Sequence, residues 1–509
     1  MKIKNIISLI SFLCLFVSCT DDDSFSLSKS DILTFSTDTI SMDTIFSTVP
    51  TSTRTFWVYN KAGDGIRCTK VRLARGNQTG FRINVDGEYL SPTSGYQISD
   101  VEIRKNDSIR VFVELTSPEN GKQEPQLLED ELVFLLESGV EQKVALNAYT
   151  WDANLLKNVY VQNDTTIGTD SKPTVIYGGL TVDSCATLNI AAGTTLYFHG
   201  DAGINVYGRM ISEGTADRNI VLRGDRLDNM FDYLPYDNVS GQWQGIRFYG
   251  SSYENKICYT DIHSTFNGIV CDSSDVSKVK LQLLNSTVHN CQGYGVKSEN
   301  CSIEIRNSQI TNTLNDCVAI FGGSAIIQQC TLAQFYPFDS NRGAALYYSN
   351  FQGERYMPLL KMDCLNSIVT GYANDVITGA KMDDETKEFN YRFVNSLLRT
   401  PEVTDDENII NVTFENVEDT SAVSGEENFV LVDIDKQRYD FHLNEKSPAI
   451  NTAAIEYSLP EDRDGRQRDE LPDVGCYEYL KIRQTTKMNK YKRRHGKNHY
   501  KIGIKSVKI

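Results

Sequence analysis

Residues 281–288, LQLLNSTV, decide the fold, because the same pattern returns as 303–310, IEIRNSQI, and 325–332, AIIQQCTL, at a spacing of 22 residues. It continues as 362–369, MDCLNSIV, and 391–398, YRFVNSLL, after intervals of 37 and 29 residues. The copies alternate apolar and polar residues as strands do, and no helical pattern separates them. A period near 22 with this alternation is typical of a solenoid whose coils pair strand to strand.

The repeat also predicts which side chains point into the solenoid. Two positions are apolar in every copy: Leu283, Ile305, Ile327, Cys364 and Phe393 at the first, and Val288, Ile310, Leu332, Val369 and Leu398 at the second. Between them stand Asn285, Asn307, Asn366 and Asn395, with Gln329 interrupting the column. Asn tolerates the left-handed backbone of a tight corner, and its amide can bond the Asn of the next coil.

This pattern resembles the asparagine ladder of right-handed parallel β-helix proteins of the pectate-lyase-like architecture, which implies a β-helix over residues 151–440. The stretches AGTTLYF at 192–198 and GQWQGIRF at 241–248 resemble opening coils of such surface proteins. Near the end, SPAI at 447–450, DGR at 464–466 and DVGCYE at 473–478 resemble the choice-of-anchor Q segment. The resemblance implies a closing segment over residues 441–480.

Residues 31–150 show short alternating segments separated by Gly, Asn and Asp turns, which predict a β-sandwich. Residues 53–63 resemble a strand and turn of immunoglobulin-like modules of the hydin type. The predicted fold class is therefore all-β, with an immunoglobulin-like sandwich followed by the β-helix. The cysteines of the β-helix form no CxxC motif, and we expect them to be buried small thiols.

The chain opens with Lys2, Lys4 and an apolar stretch too short to span a bilayer, which predicts a signal peptide over residues 1–18. FVSC at 16–19 resembles a bacterial lipobox, which implies that Cys19, rather than Cys14, is lipidated. Residues 19–30 form an acidic and Ser-rich tether, and the acidic triplet at 21–23 resembles the surface-export signal of Bacteroides-like lipoproteins. The alternative for the acidic triplet is a charged linker without an export role. We expect a protein that is anchored by lipid to the outer membrane and exposed at the cell surface.

The formal charge of −16 is unevenly distributed, because residues 481–509 contain eleven Lys and Arg and no acid. The strongly acidic remainder argues against nucleic acid as a partner. The tail is predicted to be disordered; docking on phosphate-rich lipopolysaccharide and folding back on the acidic surface of the body are the alternatives.

Insertions rich in aromatic and acidic residues interrupt the coils, and insertions in a solenoid often collect on its binding face. Aromatic rings stack on sugars, so these loops are candidates for a glycan groove. The alternative is that they cap the open sides of the tube. The candidate residues are Tyr233, Tyr236, Trp243, Tyr336, Phe338, Tyr347, Tyr348 and Tyr356.

Catalysis has weaker support in the sequence. A β-helix lyase needs a basic residue and a carboxylate-bound Ca²⁺, and the weak candidates are Arg226, Asp228, Arg342 and Arg355. His263 and His289 occupy matching places in successive coils, which favours an exposed stacked pair over a metal or catalytic site. The acids Asp462, Asp464, Asp469 and Asp473 suit Ca²⁺, but the interleaved Arg463, Arg466 and Arg468 favour internal salt bridges.

We therefore expect a surface module for binding or adhesion to polysaccharide or host glycan, without a required cofactor. A polysaccharide lyase or glycoside hydrolase acting in the same groove is the first alternative. A structural envelope protein is the second.

Overall fold

Short parallel strands stack coil upon coil from Asn154 to Phe414 and form three ladders, one for each side of a tube. The architecture comes from a computed structural model that describes residues 24–168, 172–231, 233–419 and 421–480. The predicted signal peptide, Cys19, the acidic triplet and the basic tail lie outside the described residues. No helix within the described ranges is long and apolar enough to cross a membrane.

The strands are grouped here by the ladder in which they pair. Ladder A contains Thr195–Phe198, Ile220–Gly224, Thr260–His263, Thr287–Cys291, Gln309–Thr313, Thr331–Gln334, Ile368–Gly371, Leu397–Leu398 and Thr413–Phe414. Ladder B contains Ile204–Val206, Ile246–Phe248, Ile269–Cys271, Leu346–Ser349 and Ile377–Ala380. Ladder C contains Thr165–Ile167, Thr187–Ile190, Arg209–Glu213, Asn255–Cys258, Val279–Leu284, Leu359–Leu365, Arg392–Val394 and Ile409–Ile410. Four longer strands bend at a corner and so belong to two ladders. Two of them run from ladder A into ladder B, at Asn154–Val161 and Thr174–Val182, and two run from ladder B into ladder C, at Val296–Arg306 and Val318–Gln328.

The predicted inward columns form the core of the tube. Leu283, Ile305 and Ile327 are completely buried, and Val288 and Ile310 on ladder A are as well. Each such side chain contributes roughly 1.5–3 kcal/mol by leaving water. The β-helix cysteines are free thiols and most are buried within this core, in agreement with their predicted packing role.

The corner between ladders C and A carries the Asn column, and its predicted backbone is confirmed. Asn285, Asn307, Asn366 and Asn395 have φ between 46° and 53°, and Gln329 has φ 49°. The prediction that the amides bond from coil to coil is wrong for the two central asparagines. The amide nitrogen of Asn307 donates to the Glu461 carbonyl at 2.7 Å, and that of Asn366 donates to the Ala454 carbonyl at 2.9 Å.

The serine after each asparagine makes the bond between coils instead. The backbone N–H of Ser286 donates to the Ser308 hydroxyl at 3.1 Å, and the N–H of Cys330 donates to the Ser367 hydroxyl at 3.0 Å. The N–H of Ser367 donates in turn to the Ser396 hydroxyl at 3.1 Å. This serine ladder satisfies buried N–H groups that the turn removes from the strand ladders.

The N-terminal sandwich is present as two sheets around one apolar core. The first contains Leu33–Phe35, Arg54–Asn60, Ser108–Leu115, Phe81–Val85 and Glu88–Tyr89. The second contains Thr39–Phe46, Glu141–Trp151, Gln126–Leu136, Ile66–Leu73, Gln97–Ile98 and Val101–Ile103. Phe46 of the sandwich packs edge-on against Tyr197 of ladder A, with ring centroids 4.9 Å apart, and so joins the two domains.

The closing segment covers part of the outer face of ladder A. The parallel strands end at Phe414, ahead of the predicted boundary at residue 440, and Phe429–Asp433 and Arg438–Leu443 then form an antiparallel hairpin. Residues 444–480 continue along the Asn corner, where Cys476 packs beside Thr331. Short hairpins also form at Asn229–Phe231 with Leu234–Pro235 and at Phe351–Gln352 with Arg355–Tyr356. Among the described residues, 3₁₀ turns lie at Pro92–Ser94, Tyr236–Asn238, Gly425–Asn428 and Ile455–Tyr457.

The serine ladder predicts the effect of Ser367→Ala. The substitution leaves the buried N–H of Cys330 without its acceptor, so we expect the free energy of unfolding to fall by about 1–3 kcal/mol. The control is Ser302→Ala, because Ser302 is half-buried and does not belong to the serine ladder. We expect this substitution to change the free energy of unfolding by no more than about 0.5 kcal/mol. Urea denaturation measures both, and equal losses in the two variants would contradict the ladder.

Candidate functional site

An open cleft of about 600 Å³ lies between the sandwich and the β-helix. The sandwich lines this cleft with Thr39, Ser41 and Arg54. The other wall is the insertion after strand Ile220–Gly224 of ladder A, which contributes Phe231 and Tyr233. The walls therefore combine hydroxyl groups, charge and aromatic rings. Sites of this composition fix a polar ligand by hydrogen bonds and by contact with ring faces.

Ion pairs across the domain junction hold the insertion in place. Arg226 donates two hydrogen bonds to the carboxylate of Asp228, at 2.7 and 2.6 Å, and one to the Ser52 hydroxyl of the sandwich at 3.1 Å. Arg54 lies 3.6 Å from the same carboxylate and donates to the Asn229 carbonyl at 3.0 Å. The contacts of Arg226 and Asp228 join the domains and so give both residues a structural role, whereas the catalytic role stays a prediction.

Two exposed aromatic rings form one wall of the cleft. Phe231 is 55% exposed and Tyr233 is 57% exposed. Their ring centroids lie 5.9 Å apart and their planes differ by 13°. Such nearly parallel, solvent-facing rings form a platform that can contact an amphipathic ligand. Tyr233 was predicted as a binding residue; Phe231 was missed, although it stands in the same aromatic insertion.

The prediction for Trp243 is wrong. Its side chain is completely buried, stacked on Phe198 with ring centroids 4.2 Å apart, and its indole N–H donates to the His263 carbonyl at 2.8 Å. Tyr336 and Tyr348 are also nearly buried. These three rings cap or fill the tube, which was the alternative explanation for aromatic residues in insertions.

The remaining aromatic candidates lie outside the cleft. Tyr236 lies under the guanidinium of Arg226, 3.8 Å from its ring centroid. Tyr347 packs on Phe321 with centroids 5.2 Å apart, and the Tyr356 hydroxyl accepts the N–H of Glu388 at 2.9 Å. Phe338 is exposed beside Tyr336.

The other weak catalytic candidates are not brought together. Arg342 lies over the Tyr372 ring at 4.8 Å, whereas the exposed Arg355 belongs to the small hairpin with Gln352. The structure thus provides no shared site for these two arginines.

The acids of the closing segment shape its backbone. The carboxylate of Asp462 accepts the N–H groups of Asp464, Arg466 and Glu478 at 2.8–3.1 Å. The carboxylates of Asp469 and Asp473 likewise accept backbone N–H groups. Asp464 pairs with Arg466 at 3.1 Å, as the predicted internal salt bridges require. Binding of Ca²⁺ by these residues stays an untested prediction.

A second polar cluster lies on the outer face of ladder A. His263 and His289 stack with ring centroids 4.8 Å apart, but His263 is only 5% exposed, so the predicted exposed pair is wrong for this residue. The Asp237 carboxylate lies 2.7 Å from Nε2 of His263, and the Asp261 carboxylate lies 2.9 Å from Nδ1. Burial alone would lower the pKa of His263, but the two carboxylates raise it to about 10.

Residues 153–334 match the family model described as the right-handed β-helix region, which is less than half of the chain. The match agrees with the three parallel ladders. The chain contains a right-handed parallel β-helix. No curated protein matches the sequence.

Solved structures with partial similarity include three carbohydrate-active enzymes. A family 123 glycoside hydrolase from Clostridium perfringens is 9% identical over 25% of this chain and 26% of its own, with a TM-score of 0.17, so the chain spans about a quarter of that enzyme. The pectate lyase Pel9A is 12% identical over 65% of this chain and 88% of its own, with a TM-score of 0.31. A GH87 α-1,3-glucanase from Streptomyces thermodiastaticus is 9% identical over 70% of this chain and 78% of its own, with a TM-score of 0.26. These values say nothing about the activity of this chain.

His442 gives a pH-dependent prediction for the closing segment. Burial alone would lower its pKa, but Asp440 at 2.6 Å and Asp464 at 3.1 Å raise it from 6.5 to about 9. A raised pKa stabilises the fold fully below about pH 6.5, and this stabilisation is lost as the pH rises through 9. We expect His442→Gln to lower the melting temperature most at pH 6 and hardly at all at pH 10. A constant difference in thermal denaturation across this range would contradict the assignment.

Proposed function

We propose that the protein binds a polysaccharide or host glycan in the cleft between the sandwich and the β-helix. The observation that carries this proposal is the exposed, nearly parallel pair of Phe231 and Tyr233 beside the hydroxyl groups of Thr39 and Ser41. A sugar presents C–H groups on its ring faces and hydroxyl groups at its edge. The cleft offers a partner for each.

The anchoring of the hairpin to the sandwich supports recognition. The rings belong to a hairpin whose Asn229 carbonyl is held by Arg54, and Arg54 belongs to a central strand pairing of the sandwich. A platform held before the ligand arrives loses little conformational entropy on binding. Since both domains line the cleft, the proposal also gives the sandwich a part in recognition.

Cleavage of the same polymer is the second candidate function. The cleft contains a carboxylate, Asp43, whose oxygen lies 3.8 Å from the guanidinium of Arg54, with both side chains partly exposed. A carboxylate can act as a general base, and a guanidinium can hold an anionic group of a polymer beside it. The favoured proposal remains binding, because the aromatic platform is the more specific feature.

The proposal is tested by binding of the full chain to an array of polysaccharides and host glycans. We expect selective binding that Tyr233→Ala or Phe231→Ala weakens about tenfold or more, which corresponds to a loss of about 1.4 kcal/mol. Tyr160→Ala removes a ring of similar exposure outside the cleft and should bind as the unmodified protein does. Absence of binding, or equal binding by all variants, would refute the proposal; release of reducing ends would favour the enzyme.

We also propose that Cys19 carries a lipid that anchors the protein to the outer membrane with its body at the cell surface. The lipobox-like residues before Cys19 support this proposal. Labelled palmitate fed to expressing bacteria should enter the unmodified chain and Cys14→Ala but not Cys19→Ala. Label retained in Cys19→Ala would show that another residue is the acceptor, and absence of label from the unmodified chain would refute lipidation.

A further inference from the structure

The cluster on the outer face of ladder A has the composition of a metal centre. Asp261 and His263 alternate along one strand, so both point outward, and His289 is the register partner of His263 on the next coil. The ladder therefore brings one carboxylate and two imidazoles to one place. These side chains take no part in the cleft.

The three ligand atoms lie close together. A single oxygen of Asp261 lies 2.9 Å from Nδ1 of His263 and 3.1 Å from Nε2 of His289, and all three ligand atoms lie within 4.8 Å of one another. Zinc bonds of 2.0–2.1 Å place tetrahedral ligands about 3.3 Å apart. The two contacts with the oxygen are slightly shorter than this spacing, so an ion requires the oxygen to move a few tenths of an ångström away from the nitrogens and the two nitrogens to approach each other.

A supporting shell is present around the buried ligand. Nε2 of His263 lies 2.7 Å from the carboxylate of Asp237, and Arg223 holds that carboxylate at 2.9 Å. Metal-binding histidines almost always donate their second N–H to such a group, which fixes the ring. The Ser264 hydroxyl donates to the Asp237 carbonyl and secures the turn that contains it.

The cluster is partly open to solvent on one side. The side chain of His263 is 6% exposed, whereas those of His289 and Asp261 are 23% and 31% exposed. Within the described part of the chain, Asp261 forms ion pairs with these two histidines alone. The nearby Arg463 donates instead to the Thr287 hydroxyl and to Asn219.

We propose that Asp261, His263 and His289 bind a divalent transition metal ion, with zinc as the best match. Two imidazoles and one carboxylate suit zinc and its neighbours in the first transition row, whereas Ca²⁺ and Mg²⁺ prefer oxygen ligands throughout. Three protein ligands leave a fourth tetrahedral position for water. The ion joins adjacent coils and presents a Lewis acid on the face that the closing segment borders.

The test uses the full chain, stripped with a chelator and titrated with Zn²⁺ by calorimetry. His495→Ala and His499→Ala are introduced throughout, because these tail histidines provide a competing pair of ligands four residues apart. We expect one equivalent of Zn²⁺ to bind, and His289→Ala or Asp261→Asn to weaken binding at least tenfold. Co²⁺ should give visible absorption bands that the same two variants lose.

His442→Ala is the matched control. Its ring also lies between two carboxylates, but Asp440 and Asp464 contact opposite nitrogens and cannot meet at one ion. Zn²⁺ binding should be unchanged in this variant, and circular dichroism verifies that every variant is folded. Absence of stoichiometric binding by the unmodified cluster, or equal affinity in folded His289→Ala and Asp261→Asn, would overturn the proposal.

Discussion

The pairing of each coil with the next is the constraint on which the rest of the structure depends. A coil cannot bury its own apolar side chains, so Leu283, Ile305 and Ile327 become a core only when their coils stack. Stacking in turn requires every coil to turn at the same corner. Asn residues with a left-handed backbone make that turn, and the serine ladder satisfies the buried N–H groups that the turn leaves without a strand partner.

The same constraint determines where function can lie. Residues inside the tube are fixed by packing, so chemical variety is confined to outward-facing positions and to insertions between strands. One insertion leaves ladder A, joins the sandwich through Arg226 and Asp228, and presents Phe231 and Tyr233 at the cleft. The outward positions of ladder A hold the Asp261, His263 and His289 cluster. The closing segment covers other parts of this face, bonding to Asn307 and Asn366.

The features that repeat could be predicted from the sequence, and the features that depend on long-range contacts could not. The spacing of 22 residues was sufficient to predict the inward columns and the Asn corner. Trp243 was misplaced because an aromatic residue near an insertion has the same pattern whether it faces solvent or Phe198. The contact of Asp237 with His263 could not be foreseen, because it depends on the path of an insertion without periodicity.

Amide hydrogen exchange with the strongest-binding glycan tests the central claim most directly, because the cleft is built by both domains. We predict that the ligand slows exchange in residues 37–43 of the sandwich and in residues 229–235 of the insertion together, with little change along ladders B and C. Protection confined to one domain, or located on another face of the tube, would contradict the assignment of the cleft as the binding site.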